Sequence, residues 1–151
     1  MDLNYIERIL KARVYDVAIE SPLEPAPRLS RRLQNRVLFK REDLQPVFSF
    51  KLRGACNRIS HLTDEQAMRG VICASAGNHA QGVALSAQRR GIRAVIVMPQ
   101  TTPAIKVQAV RDLGGEIVLH GDDYDSAYER SLEIAAAEGM EFIHPFDDPD
   151  V

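Results

Sequence analysis

Long apolar runs, clustered cysteines and an excess of charge of either sign are all wanting in this 151-residue chain, and each lack removes a class of function. No run approaches the roughly 20 apolar residues that a membrane span requires, and Met1-Asp2-Leu3-Asn4-Tyr5 carries no basic segment leading into an apolar stretch. A net charge of −2 gives no electrostatic footprint for nucleic acid or an anionic membrane, so neither is expected as a partner. The two cysteines, Cys56 and Cys73, form no ligand pattern with the four histidines and do not make a disulfide framework. A reducing compartment and a cytoplasmic location are therefore expected, with no metal site. Nucleotide motifs are missing as well. Gly77 and Gly82 have the separation of a P-loop's glycines, yet Val83-Ala84 stands where a lysine and a hydroxyl residue must be, and there is no G-x-G-x-x-G turn. Asp122, Asp123 and Asp125 lack the glycine and distal glutamate of a calcium loop and read as charges favouring the start of the next helix. His61, His79, His120 and His144 are scattered singly, which suits surface or capping roles better than metal ligation.

What is present is the composition of a folded domain, 45% hydrophobic and 26% charged, in a chain long enough to bury a core without disulfides or metal. Leu3, Ile6, Ile9, Leu10 and Val14 recur at helical spacing and predict an amphipathic first helix whose stripe must pack on something. Pro22, Pro25 and Pro27 predict a connecting loop, because proline lacks a donor and restricts its predecessor. Val37-Leu38-Phe39-Lys40 reads as a short strand, and Ser49 as the N-cap of a helix carrying Leu52, Ala55, Ile59 and Leu62. Thr63-Asp64-Glu65-Gln66 is a capping-box sequence.

From Gly70 onward the pattern becomes a repeat of strand, turn and helix. Val71-Ile72-Cys73-Ala74, Ala94-Val95-Ile96-Val97-Met98, Glu116-Ile117-Val118-Leu119 and Glu141-Phe142-Ile143 have strand length. Between them lie helical patterns from Ala80 to Arg90, Pro103 to Leu113 and Asp125 to Glu138, with Pro103 as a first helical residue and Gly91, Gly114 and Gly139 as C-terminal caps. The expectation is an α/β fold, an open parallel sheet with flanking helices and right-handed crossovers. Residues 1 to about 68 are expected to supply helices and one strand without partner strands. The chain is accordingly expected to be part of a longer protein, its fold incomplete.

Two clusters could carry chemistry. Lys51 lies in Ser49-Phe50-Lys51-Leu52-Arg53-Gly54-Ala55, flanked by Phe48, Phe50 and Leu52. Partial burial among them would disfavour the ammonium form and leave free amine to attack a carbonyl. Ser75-Ala76-Gly77-Asn78-His79 lies where a strand gives way to a helix, so unpaired N–H groups and the positive end of the helix dipole suit a carboxylate or phosphate. The bland alternatives are a solvated lysine and a turn in which Ser75 or Asn78 merely caps the helix. A reactive amine combined with an anion-accepting turn is what a pyridoxal phosphate enzyme acting on an amino acid requires.

The clusters, together with Lys40-Arg41-Glu42-Asp43-Leu44-Gln45-Pro46 and Ala80-Gln81-Gly82, closely resemble the threonine dehydratases among the fold-type II pyridoxal phosphate enzymes, of tryptophan synthase β-like fold. The match covers nearly the whole chain, and the Lys-Arg-Glu-Asp-Leu-Gln-Pro run is similar to the biosynthetic branch that makes 2-oxobutanoate for isoleucine. The resemblance implies pyridoxal 5'-phosphate as cofactor, held by Lys51 as a Schiff base, with Lys51 later moving protons at the substrate α-carbon. It implies that Phe50 flanks the cofactor ring, that Asn78 hydrogen-bonds the ring hydroxyl, and that Ser75, Ala76, Gly77, Asn78 and His79 hold the carboxylate of a small amino-acid substrate. Residues 1–68 would be the first portion of a large cofactor domain and 69–151 a nearly complete small domain. The family's glycine-rich phosphate cradle and the residue meeting the pyridine nitrogen would lie beyond Val151, so these residues alone are expected to hold the cofactor weakly and turn over little. The full-length protein is expected to be a homo-oligomer. Rival readings are a serine dehydratase or serine racemase, and a non-catalytic remnant or binding module.

Overall fold

A computed structural model describes residues 5–151; Leu3, counted in the first helix from its spacing, lies outside the described residues. The chain opens with α1 (Tyr5–Lys11) and a 3-10 turn at Val14–Asp16. Ile6, Ile9 and Leu10 stay 73%, 69% and 80% exposed, so the stripe expected to pack finds no cover among the described residues. The proline-rich stretch is not the plain connection its composition predicts. Leu23–Pro25 forms β1, which pairs antiparallel with β2 (Leu38–Lys40), Leu23 opposite Lys40 and Pro25 opposite Leu38. Proline is tolerated there because a two-stranded ribbon has only edges. Pro27 then opens α2 (Pro27–Leu33), where its missing N–H would have had no partner anyway. The first segment therefore holds two strands that partner each other.

A second 3-10 turn at Glu42–Leu44 leads to α3 (Lys51–Ser60) and α4 (Asp64–Arg69). The capping box is formed: the Gln66 N–H donates to Thr63 Oγ1 at 3.2 Å, and the Thr63 N–H donates to Gln66 Oε1 at 2.9 Å. Leu52, Ala55 and Ile59 are buried along one face of α3, as their spacing predicts.

The remaining elements alternate: β3 (Val71–Ala74), α5 (Asn78–Arg90), β4 (Ala94–Met98), α6 (Ala104–Asp112), β5 (Glu116–Leu119), α7 (Tyr124–Glu138) and β6 (Glu141–Phe142). The sheet is parallel in the order β5-β4-β3-β6. Side chains alternate across it. Val71, Cys73, Ala94, Ile96 and Met98 pack with Ala80, Val83, Ala84 and Ala87 of α5 and Val107 and Val110 of α6. Ile72, Val95 and Val97 pack on the other face with Ala127 and Ile134 of α7. The right-handed crossover rule explains this division, because β3, β4 and β5 step one way while β6 returns to the far side of β3, so its connecting helix must cross the opposite face. The strand order reverses between β3 and β6. A crevice at the carboxyl ends of two such strands is where open α/β sheets bind ligands. Pro103 caps α6 rather than beginning it, and Gly91 and Gly139 take the left-handed C-cap conformation at φ 72° and 67°. Among the described residues no helix is long and apolar enough to cross a membrane.

Candidate active site

Lys51 is placed by the packing of α3 on α5. At one end of α3, Arg90 of α5 donates to the carbonyls of Ile59 and Leu62, satisfying groups that a helix C-terminus leaves free. At the other end Leu52 is fully buried beside Val47, Cys56 and Leu85, a contribution of about 2 kcal/mol. Contact at that end depends on Gly82: a Cβ there would stand 3.0 Å from Leu52 Cα, 3.1 Å from Leu52 N and 3.2 Å from Lys51 C. Ser49 is not the N-cap of α3. Phe50 occupies that position without a side-chain cap, while Ser49 Oγ accepts the Lys51 N–H at 3.2 Å.

The preceding loop is held by polar contacts. Gln45, 1% exposed, exchanges hydrogen bonds with the Ile19 backbone at 2.9 Å each way. Glu42 pairs with Arg53 at 2.7 Å, and that hydrogen bond, aided by Ser21 and Gln45 against desolvation, holds the Glu42 carboxyl down at about 2.

Lys51 is half-buried, and its Nζ donates to the Pro145 carbonyl at 2.7 Å. Among the described residues no carboxylate pairs with it. The apolar shield expected from Phe48, Phe50 and Leu52 is thinner than their sequence positions suggest. Phe48 and Phe50 are 77% and 59% exposed, and Leu52 points into the contact with α5. Phe50 does lie beside the amine, its ring centroid 5.8 Å from Nζ. A cleft of about 390 Å³ opens there, lined by Phe50, Lys51, Arg53, Gly54, Pro145 and Phe146 among others.

The turn after β3 stands at the reversal of strand order. The Ser75 N–H is spent on the Val97 carbonyl at 3.1 Å, and Ser75 Oγ accepts the Gly77 N–H at 3.3 Å. Neither Ser75 nor Asn78 caps α5; the cap residue is Gly77, with no side-chain bond, and Asn78 is already helical. The N–H groups of Asn78, His79 and Ala80 consequently find no acceptor among the described residues. Apart from its own chain neighbours, nothing lies within 4 Å of the position a Gly77 Cβ would take, so the space in front of the turn is open.

His79 joins the turn to the segment after β6. Only 3% exposed, it donates from Nε2 to the Ile143 carbonyl at 2.9 Å, leaving Nδ1 buried without a partner. Burial pushes the imidazole down to about 4 against the support of the Ile143 bond, with nearby Lys51 adding to the depression. It is therefore a neutral ring at physiological pH. Lys51 and His79 thus grip carbonyls two residues apart, Pro145 and Ile143. Phe50 and Lys51 meet the Ser75–His79 turn across this strap, whose role no side-chain pattern signals because its contribution is backbone carbonyl. Gly82 did carry a signal, a glycine inside a helical pattern. Among the described residues no cluster of side chains could hold a metal.

A family model described as pyridoxal-phosphate dependent enzyme matches residues 14–151. The chain is 58% identical over 149 residues to the L-threonine dehydratase biosynthetic IlvA of Burkholderia multivorans, covering 97% of this chain and 29% of that protein. It is 60% identical to the chloroplastic biosynthetic threonine dehydratase of Arabidopsis thaliana, over 99% of this chain and 25% of that one. Among solved structures, the processed threonine deaminase isoform 2 of Solanum lycopersicum superposes with a TM-score of 0.94 at 57% identity, covering 97% of this chain and 43% of that chain. The chain spans less than a third of the length of these curated relatives.

Proposed function

This chain belongs to the family of pyridoxal-phosphate dependent enzymes, and we propose from that premise that it supplies the reactive lysine and the substrate-carboxylate turn of a threonine ammonia-lyase. The reaction is conversion of L-threonine to 2-oxobutanoate and ammonia, a step toward isoleucine, carried out by the whole protein. The observation that carries the reading is Lys51 Nζ and the buried His79 held on neighbouring carbonyls of one strap, beside a turn whose amides are free.

The residues fit the cofactor's reactive end. An amine with no carboxylate partner, a flanking phenylalanine, a cleft beside them and open space before the turn are what an aromatic aldehyde and an amino acid need. When bound, pyridoxal phosphate supplies a conjugated ring that accepts the electrons left at the α-carbon, so that the β-hydroxyl can depart. Lys51 provides the attachment point and then, released from its carbonyl partner, takes and returns the proton at the α-carbon. The amides of Asn78, His79 and Ala80 and the Ser75 hydroxyl would hold the substrate carboxylate and so orient the α-carbon C–H bond for cleavage. Phe50, beside Lys51 Nζ, would flank the ring, and Asn78 would hydrogen-bond its hydroxyl. His79, uncharged, completes the turn without adding positive charge beside Lys51.

Residues 1–68 are assigned to a large cofactor domain and 69–151 to a small one that keeps the parallel sheet in one unit. The bare stripe of Ile6, Ile9 and Leu10 supports a homo-oligomer. We place the protein in the cytoplasm, although the Arabidopsis relative is named chloroplastic. The high identity to proteins named for threonine favours that substrate over serine. Turnover of threonine and serine by the whole protein tests the reading: 2-oxobutanoate from threonine, abolished by Lys51→Ala, supports it. A preference for serine moves it to the dehydratase or racemase alternative, and activity surviving Lys51→Ala removes it.

A further inference from the structure

We propose that His144 is a positioning residue for Lys51, shaping the turn at residues 144–147 so that the Pro145 carbonyl faces the amine. This deepens the reading of Lys51 as the reactive group and rests on it. The last ladder contact of β6 is the Ile143 N–H donating to the Ile72 carbonyl at 2.9 Å, after which the sheet no longer guides the chain. His144 takes over. Its Nδ1 accepts the Asp147 N–H at 2.7 Å and the Phe146 N–H at 3.3 Å, closing a turn around Pro145. With two N–H groups aimed at it, Nδ1 must carry the lone pair, so the ring is neutral with its proton on Nε2. The ring itself is fixed by edge contacts with Phe146 at 4.7 Å, Phe142 at 6.0 Å and Tyr128 at 6.4 Å. Tyr128 belongs to α7 and Phe142 to β6, so the rigid body of the sheet reaches the strap through this imidazole.

Beyond the turn the strap is tied to α3, the helix that begins with Lys51. Arg58 Nε pairs with Asp148 at 2.9 Å, and Asn57 Nδ2 donates to the Asp150 carbonyl at 2.8 Å. The strap is thus anchored at Ile143 and at Asp148, and between them, among the described residues, His144 Nδ1 is the side-chain acceptor that closes the turn. Losing its acceptor would leave both anchors standing while the Pro145 carbonyl turns away from Nζ. The expected effect is local to Lys51, which separates positioning from general stability.

Two variants divide the ring from the acceptor. His144→Phe keeps an aromatic ring for Phe142, Phe146 and Tyr128 but cannot accept the two N–H groups. His144→Asn loses the ring but offers an amide oxygen that accepts from the residues following it, as in an Asx turn. The whole protein in its cofactor-free form would be acylated with trace acetic anhydride at one fixed pH, with Lys51 quantified by peptide mass spectrometry against exposed Lys106. His144→Phe should raise the relative reactivity of Lys51 by about five-fold or more, the factor a lost hydrogen bond represents, while His144→Asn should match the wild type. The reverse pattern, no change in either variant, or equal release in both would overturn the inference. Acylation does not involve the cofactor, so failure of Lys51 to condense with pyridoxal phosphate would sink the functional reading and leave this result interpretable.

Discussion

Replacing Gly82 by alanine would add one methyl group to the face of α5 that touches the first turn of α3. Two effects oppose each other. Alanine is favoured over glycine inside a helix by about 1 kcal/mol. The new Cβ, however, would lie 3.0 to 3.2 Å from Leu52 Cα, Leu52 N and Lys51 C, all of them backbone atoms that cannot rotate aside. Overpacking of this kind costs about 1–3 kcal/mol, so the net change is a loss of about 0–2 kcal/mol. The two helices must separate by a few tenths of an ångström, and because Arg90 holds the far end of α3, its first turn should give most. The assay is urea unfolding of the whole protein together with trapping of Lys51 by pyridoxal phosphate and borohydride. The variant should be no more stable than wild type and trap more slowly. A gain near 1 kcal/mol with unchanged trapping would refute the argument that this contact sets the position of Lys51.

Gly77→Ala should behave in the opposite way, since φ −140° lies outside the left-handed region and the new Cβ meets nothing within 4 Å beyond its chain neighbours. Stability should stay within about 0.5 kcal/mol while KM for the amino acid rises about tenfold or more from a methyl group standing where the carboxylate docks; an unchanged KM would remove the turn from the site. The folded-state value of Glu42 near 2, against 4.5 when free, means that its contribution is complete above about pH 4.5 and is lost as pH falls toward 2. Glu42→Gln should cost about 1–3 kcal/mol near neutrality and flatten the stability slope between those limits, whereas an identical slope would refute the role of the pair with Arg53. Cys56, pushed up to about 11 mainly by burial, and Cys73, raised further by complete burial, should resist thiol reagents at neutral pH until the protein unfolds. Rapid labelling of the folded protein would show that the contact of α3 with α5 opens.

The sequence made the sheet legible because its inner strands are buried on both faces and therefore read as unbroken apolar runs. Val71–Ala74 and Ala94–Met98 lie at the expected bounds for this reason. Helix ends were legible where a glycine had to take a left-handed conformation, at Gly91 and Gly139. The start of α5 was expected at Ala80 and lies at Asn78, since no polar side chain caps it. That missing cap is also what leaves the amides of the turn free. Prolines concealed β1, because a two-stranded ribbon tolerates what an inner strand cannot. Lys51 and the Ser75–His79 turn could be named from residue type and spacing. The strap that joins them could not, because a carbonyl such as that of Pro145 belongs to every residue and only the fold decides which one meets an amine.

The central claim is that Lys51 is the amine that takes the cofactor aldehyde. Incubating the whole protein with pyridoxal phosphate, reducing with borohydride and mapping the labelled peptide tests it most directly. The account predicts one pyridoxyl group, on Lys51, that disappears in Lys51→Ala. A label carried by any other lysine, or none at all on well-folded protein, would contradict it.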